Sequence, residues 1–176
     1  AHHYTINAGA KNLRMQRSHT IAVVIPYAST SRQHISDPFF LSMLGSLADA
    51  VTDRGYDLLL SRVDADSLDA AARLVKPGGG LIYATCSVLP AENERQIEAF
   101  LERHPEFAAV PVTDVWRDAM GAEPPPEIAG PYLRLSPLRH GTDGFFAATL
   151  IRHPDRSLAP QLPSGQATRG EVEGPV

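Results

Sequence analysis

Three apolar runs, set apart by segments with helical spacing, constrain this chain most. They are Thr20–Pro26 (TIAVVIP), Asp57–Val63 (DLLLSRV) and Gly80–Ser87 (GLIYATCS). Continuous apolar runs of this length read as strands covered on both faces, the usual state of parallel strands. Between the first two, Asp37-Pro38 is a helix start, with Asp at the N-cap and Pro at the first helical position. Phe40, Met43, Leu44, Leu47 and Val51 then fall on one helical stripe that Gly55 closes. Between the second and third, Asp66 or Ser67 caps a helix with Leu68, Ala71, Ala72 and Val75 inward. Strand–helix alternation predicts an α/β fold, a Rossmann-like three-layer sandwich with a mostly parallel sheet. The expected strand order is 2-1-3.

Downstream the pattern loosens. Pro90 opens a helix over Ala91–Arg103, with Ile97, Phe100 and Leu101 on one face. Phe107–Val112 reads as a short strand and Glu123–Pro126 as part of a proline-rich loop. Tyr132–Ser136 reads as a strand or an extended entry to a loop and Phe145–Arg152 (FFAATLIR) as the last strand; joined without a helix, the two predict an antiparallel C-terminal edge pair. The expected organisation is a basic arm over 1–19, one composite α/β domain over 20–152 and a disordered, Pro- and Gly-rich tail over 153–176.

Charge and cysteine content narrow the function classes. Net charge is −4, but residues 1–36 carry four basic and no acidic side chains, leaving −8 for the remainder. The arm reads equally as a phosphate-seeking segment and as a solvated tail. The single cysteine, Cys86, excludes an intramolecular disulfide and a cysteine-based zinc cluster, and no metal site is expected. No apolar run reaches the ~18 residues of a membrane span. Without a secretory pattern, a cytoplasmic location is the expectation.

Residues 4–75 resemble the LacI family of bacterial transcription regulators. The matching stretches are YTINAGAKNLRMQRSHTIAVVIP (Tyr4–Pro26) and DPFFLSMLGSLADAVTDRGYDLLLSRVDAD (Asp37–Asp66). The resemblance implies a hinge segment with Leu13 and Arg14 at the DNA and the opening βαβα of an effector domain over 20–70. An apolar wedge at Leu13 would kink a base step. No helix-turn-helix precedes Tyr4 here, so DNA is not the expected partner.

Residues 71–152 resemble the C-terminal end of the RsmB/NOP (Sun) family of RNA cytosine-5 methyltransferases. The carriers are AARLVKPGGGLIYATCSVLPAENERQIEAFLERHPEF (Ala71–Phe107) and PYLRLSPLRHGTDGFFAATLIR (Pro131–Arg152). The resemblance implies that Cys86 is the nucleophile, flanked by Thr85 and Ser87, with Asp143, Gly144 and Phe145 in the closing motif beside it. It also implies RNA as partner and S-adenosylmethionine as cofactor. A thiolate that adds to a cytosine ring carbon makes the neighbouring carbon nucleophilic, a task for which cysteine is suited. By residue type alone, a lone cysteine is more often a small buried apolar side chain.

This sequence departs from that family upstream. There is no glycine from Thr20 to Leu44, where the family carries a glycine-rich cofactor turn, and no second cysteine. Asp64 and Asp66 sit where an acidic residue would take ribose hydroxyls. KPGGG (Lys76–Gly80) follows a helix and precedes a strand, the wrong order for a phosphate loop, and reads as a helix end and turn. The chain thus reads as a chimera joined within AARLVKPGG. Three functions stand: a methyltransferase-like protein that holds the nucleophile without its cofactor half, a regulator remnant, or an α/β scaffold without catalysis. Mismatched packing at the join would favour self-association.

Overall fold

A computed structural model describes residues 19–26, 38–63 and 67–154. The proposed hinge residues Leu13 and Arg14, the Asp37 cap, Asp64, Asp66 and residues 155–176 of the tail lie outside this description. The chain divides into two compact units, 1–73 and 74–176. The division falls inside the AARLVKPGG stretch, where the sequence places the end of a helix and a glycine turn.

The first unit holds β1 (Thr20–Pro26), α1 (Pro38–Thr52), β2 (Asp57–Val63) and most of α2 (Ser67–Leu74). β1 and β2 pair in parallel, from Thr20 against Asp57 to Pro26 against Val63. Both strands have the bounds that their apolar runs predict. α1 starts at Pro38 as expected, and its stripe is partly shielded at Phe40, Met43, Leu44 and Leu47 and buried at Val51.

The second unit holds β3 (Gly80–Thr85), α3 (Glu94–Arg103), β4 (Phe107–Val110), α4 (Val112–Met120), β5 (Leu133–Leu135), α5 (Pro137–His140) and β6 (Phe145–Arg152). Its four strands form one sheet in which β6 is central. β3 runs antiparallel along one edge of β6, from Gly80 against Ile151 to Thr85 against Phe146. β4 and β5 share the other edge, β4 against residues 149–152 and β5 against 145–147.

The α/β class is borne out, with one parallel and one antiparallel sheet. The expected strand order is corrected: β1 and β2 are neighbours, but β3 belongs to the second sheet. The antiparallel β5–β6 pair is present, yet β6 is no edge strand, and the two strands are joined through the short helix α5 where none was expected. β3 stops at Thr85, two residues earlier than its apolar run suggests, and α3 starts at Glu94 after a turn over 90–93.

The core of the second unit explains this arrangement. Phe146, Ala148 and Leu150 alternate along β6 and are fully or nearly fully buried. α3 contributes Ile97 and Phe100, both with no exposed surface. Phe100 meets Phe107 of β4 edge-on, ring centroids 5.3 Å apart. The Pro-Gly-Gly turn fastens β3 to the end of β6. Gly78 takes φ +75, donates its N–H to the Arg152 carbonyl at 2.7 Å, and Gly79 accepts the Arg152 N–H at 2.9 Å. The turn leads into β3 as its order in the sequence implies, but the glycines do not stop α2, which already ends at Leu74.

Phe100→Ala is expected to cost about 3–5 kcal/mol of stability, whereas Leu138→Ala, at a side chain 97% exposed, should stay within about 0.5 kcal/mol. Chemical denaturation of the two variants checks this; equal losses would contradict the assignment of the core.

Candidate functional site

The β3–β6 ladder brings the two distinctive sequence blocks together. Thr85, the last residue of β3, lies opposite Phe146, the second residue of β6. Cys86 and Ser87 therefore leave β3 where Asp143 and Gly144 enter β6. The approach is close: a Cβ built on Gly144 would stand 2.7 Å from Val88 Cγ1. Glycine is needed there for room, because any side chain would push Val88 aside. All six residues that the sequence singles out here, Thr85, Cys86, Ser87, Asp143, Gly144 and Phe145, fall at this one junction.

The loop that carries Cys86 is held from behind by Asn93. Its side chain is 4% exposed and is the buried polar residue among the described ones. Thr85 Oγ1 donates to Asn93 Oδ1 at 2.5 Å, and Asn93 Nδ2 donates to the Ser87 carbonyl at 2.9 Å. The Ser87 N–H donates back to Thr85 Oγ1 at 3.2 Å, and the Leu89 N–H to Ser87 Oγ at 3.1 Å. Further along, the Tyr83 hydroxyl donates to the Glu92 carbonyl at 2.7 Å. Asn93 closes the PAEN run (Pro90–Asn93) behind the TCS triplet, a distinctive part of the family resemblance that by itself names no role for the asparagine. An Asn just before a helix is ordinarily taken for a cap, but here its side chain makes no capping bond to α3.

Cys86 itself is exposed, so the buried-apolar reading of a lone cysteine does not hold. Its thiol is nonetheless partly desolvated, which pushes its pKa up, and the Asp143 carboxylate pushes it further in the same direction. Both causes favour the neutral thiol. An activated cysteine ordinarily shows the opposite, a pKa lowered by a neighbouring cation or helix N-terminus. Across the junction, Arg134 of β5 reaches Glu94 in the first turn of α3 at 2.6 Å, tying the outer strand to the helix behind the loop.

Other candidates do not converge. KPGGG is occupied in the β3–β6 turn and offers no helix N-terminus. Among the described residues, no group of three or more His, Cys, Asp and Glu side chains could hold a metal ion, and no helix is long and apolar enough to cross a membrane. The alkylation of Cys86 by iodoacetamide should therefore titrate with a midpoint above that of cysteine in an unstructured peptide. Asp143→Asn should lower the midpoint without normalising it, since desolvation is the larger cause. A wild-type midpoint below the peptide's, or one indifferent to Asp143→Asn, would contradict this environment.

Known proteins share the sequence of this region. The chain is 42% identical over 100 residues to the ribosomal RNA small subunit methyltransferase B of Xylella fastidiosa strain Temecula1, covering 56% of this chain and 21% of that protein. It is 42% identical over 83 residues to the probable ribosomal RNA small subunit methyltransferase B of Synechocystis, covering 47% and 18%. A methyltransferase homologue from Pyrococcus horikoshii aligns in structure at TM-score 0.38 and 24% identity, over 74% of this chain and 38% of that one. The chain thus spans about a fifth of the length of these curated relatives. The family model for 16S rRNA methyltransferase RsmB/F matches residues 58–151. That match begins within the Asp37–Asp66 stretch that reads as LacI-like, so residues 58–70, expected to be LacI-like, belong to the methyltransferase match, and the comparisons lend the LacI-like reading no support. With more than half of its residues matched, and with the TCS and TDGFF blocks meeting at one exposed thiol, the chain belongs to the 16S rRNA methyltransferase RsmB/F family.

Proposed function

We propose that this chain carries the nucleophile-bearing segment of an RNA cytosine-5 methyltransferase, with Cys86 as the attacking thiol. The observation that carries this reading is the meeting of residues 85–87 with residues 143–145 around an exposed cysteine, inside the family match. Cytosine's ring carbon at the methylation position is a poor nucleophile. The Cys86 thiol gives its proton to solvent, the thiolate sulfur bonds to the adjacent ring carbon, and the electron pair of the ring double bond moves to the position to be methylated, where, with no methyl donor bound, a solvent proton takes it up. Exposure lets a base reach the sulfur. The raised thiol pKa keeps the resting site in its unreactive form, so addition requires deprotonation as the base docks.

S-adenosylmethionine is the methyl donor that the family resemblance implies. The residues present do not fit it. β1 ends at Pro26, which has no N–H to offer, and no glycine follows before Gly45 to let the backbone approach a ligand closely. No step is routed through it here. We therefore read the chain as catalytically incomplete by itself, and as a fusion whose residues upstream of the family match are LacI-like. That upstream reading rests on the sequence of Tyr4–Pro26 and on the Asp37-Pro38 helix start alone, since β2, from Leu58 on, falls inside the family match. It assigns no DNA-binding role to the described residues.

In RNA the extra ring nitrogen of 5-azacytosine makes the adjacent ring carbon more electrophilic, so thiol addition is favoured although, without methyl transfer, it stays reversible. Near neutral pH the chain should form an adduct, read by native mass spectrometry without denaturation, that Cys86→Ala abolishes. Calorimetry with S-adenosylmethionine should show no binding. An adduct that survives Cys86→Ala would defeat the assignment of the nucleophile, and a clear binding heat would defeat the claim of incompleteness.

A further inference from the structure

We infer that Asn93 is the positioning residue for the Cys86 thiol, through the paired bonds from its side-chain amide to Thr85 and Ser87 on either side of the cysteine. The inference rests on the reading of Cys86 as the nucleophile and deepens it.

Asn93 grips the backbone and side chain on both sides of residue 86 and leaves residue 86 itself unheld. Its Oδ1 takes the Thr85 hydroxyl and its Nδ2 gives to the Ser87 carbonyl, while Thr85 Oγ1 also takes the Ser87 N–H. Thr85, Ser87 and Asn93 thus close a ring of hydrogen bonds in which each polar atom has a partner. Opening either bond to Asn93 would leave a polar atom of a buried amide without its partner, at a cost that holds the ring closed. The position of Asn93 is fixed in turn. Its own N–H donates to the Pro90 carbonyl at 3.3 Å, and its carbonyl accepts the Gln96 and Ile97 N–H groups at 3.1 and 3.3 Å. Ile97, one turn into α3, has no exposed surface. The register of the core helix is thereby transmitted to the thiol. The exposed side of the loop meets the 143–144 segment, where Gly144 leaves room for Val88. Asn93 sets where the sulfur stands against Asp143 without touching the sulfur.

The pH profile of Cys86 alkylation in the full chain separates positioning from mere stability. Asn93→Ala and Thr85→Val should each lower the midpoint towards that of free cysteine, because a released loop leaves both the desolvated position and the Asp143 carboxylate. Thr85→Ser, which keeps the hydroxyl, should retain the wild-type midpoint. A folded Asn93→Ala protein with the wild-type profile would overturn the inference, whatever its loss in melting temperature. Where Asn93→Ala fails to melt cooperatively, Thr85→Val decides: a lowered midpoint supports positioning and an unchanged one rejects it. If wild-type protein forms no 5-azacytosine adduct while these midpoints shift, the functional reading falls and the positioning role stands.

Discussion

The antiparallel ladder between β3 and β6 is the interaction on which the second unit depends. It pairs six residues of β3 with six of β6, and the Gly78–Gly79 turn pins its far end to Arg152. One face of β6 is sealed by Phe146, Ala148 and Leu150, so the register cannot slip by one residue without turning that face to solvent. That fixed register is what places the residues after Thr85 beside the residues before Phe145. The candidate site is thus a consequence of strand pairing, with loops meeting where two antiparallel neighbours end and begin.

Electrostatics at this junction run against the usual preparation of a cysteine nucleophile. Partial desolvation and the Asp143 carboxylate both favour the neutral thiol. An RNA backbone would add negative charge and push the same way. Reactivity then has to come from the docked base or from groups supplied by other parts of a larger enzyme, in keeping with a chain that spans about a fifth of its relatives. A protonated resting thiol also resists oxidation and stray alkylation. The Thr85–Asn93–Ser87 ring and the tight Gly144–Val88 approach keep the thiol in that environment.

Much of this was legible in the sequence, for identifiable reasons. β1, β2 and β6 have the bounds of their apolar runs, but only β6 is buried as such runs imply: β1 and β2 leave Ile21, Leu59 and Leu60 exposed, so the expectation of strands covered on both faces fails for them. The stripe of α1 and the turn at KPGGG followed from spacing and glycine chemistry. The sheet partners were not legible. Strand alternation predicted a parallel place for β3, but β6 lies far along the chain and long-range pairing leaves no local mark. α4 went unrecognised because the expected strand ran on to Val112, which is in fact its first residue. The TCS and TDGFF blocks named the site residues through resemblance, and only the structure shows that they meet. The PAEN run marked Asn93 as part of a motif, but its part in holding the loop was not legible, because a buried amide bridging the Thr85 hydroxyl and the Ser87 carbonyl leaves no local mark beyond a polar residue near a helix start.

The central claim is that the Asn93 ring delivers Cys86 to its place against Asp143. A double-mutant cycle of Asn93→Ala and Asp143→Asn, read on the alkylation midpoint of Cys86, tests it most directly. The account predicts strong non-additivity: Asp143→Asn lowers the midpoint in the wild-type background and has little further effect once Asn93 is alanine. The same Asp143→Asn shift in both backgrounds would show that the thiol stays beside the carboxylate without the ring, and would contradict the account.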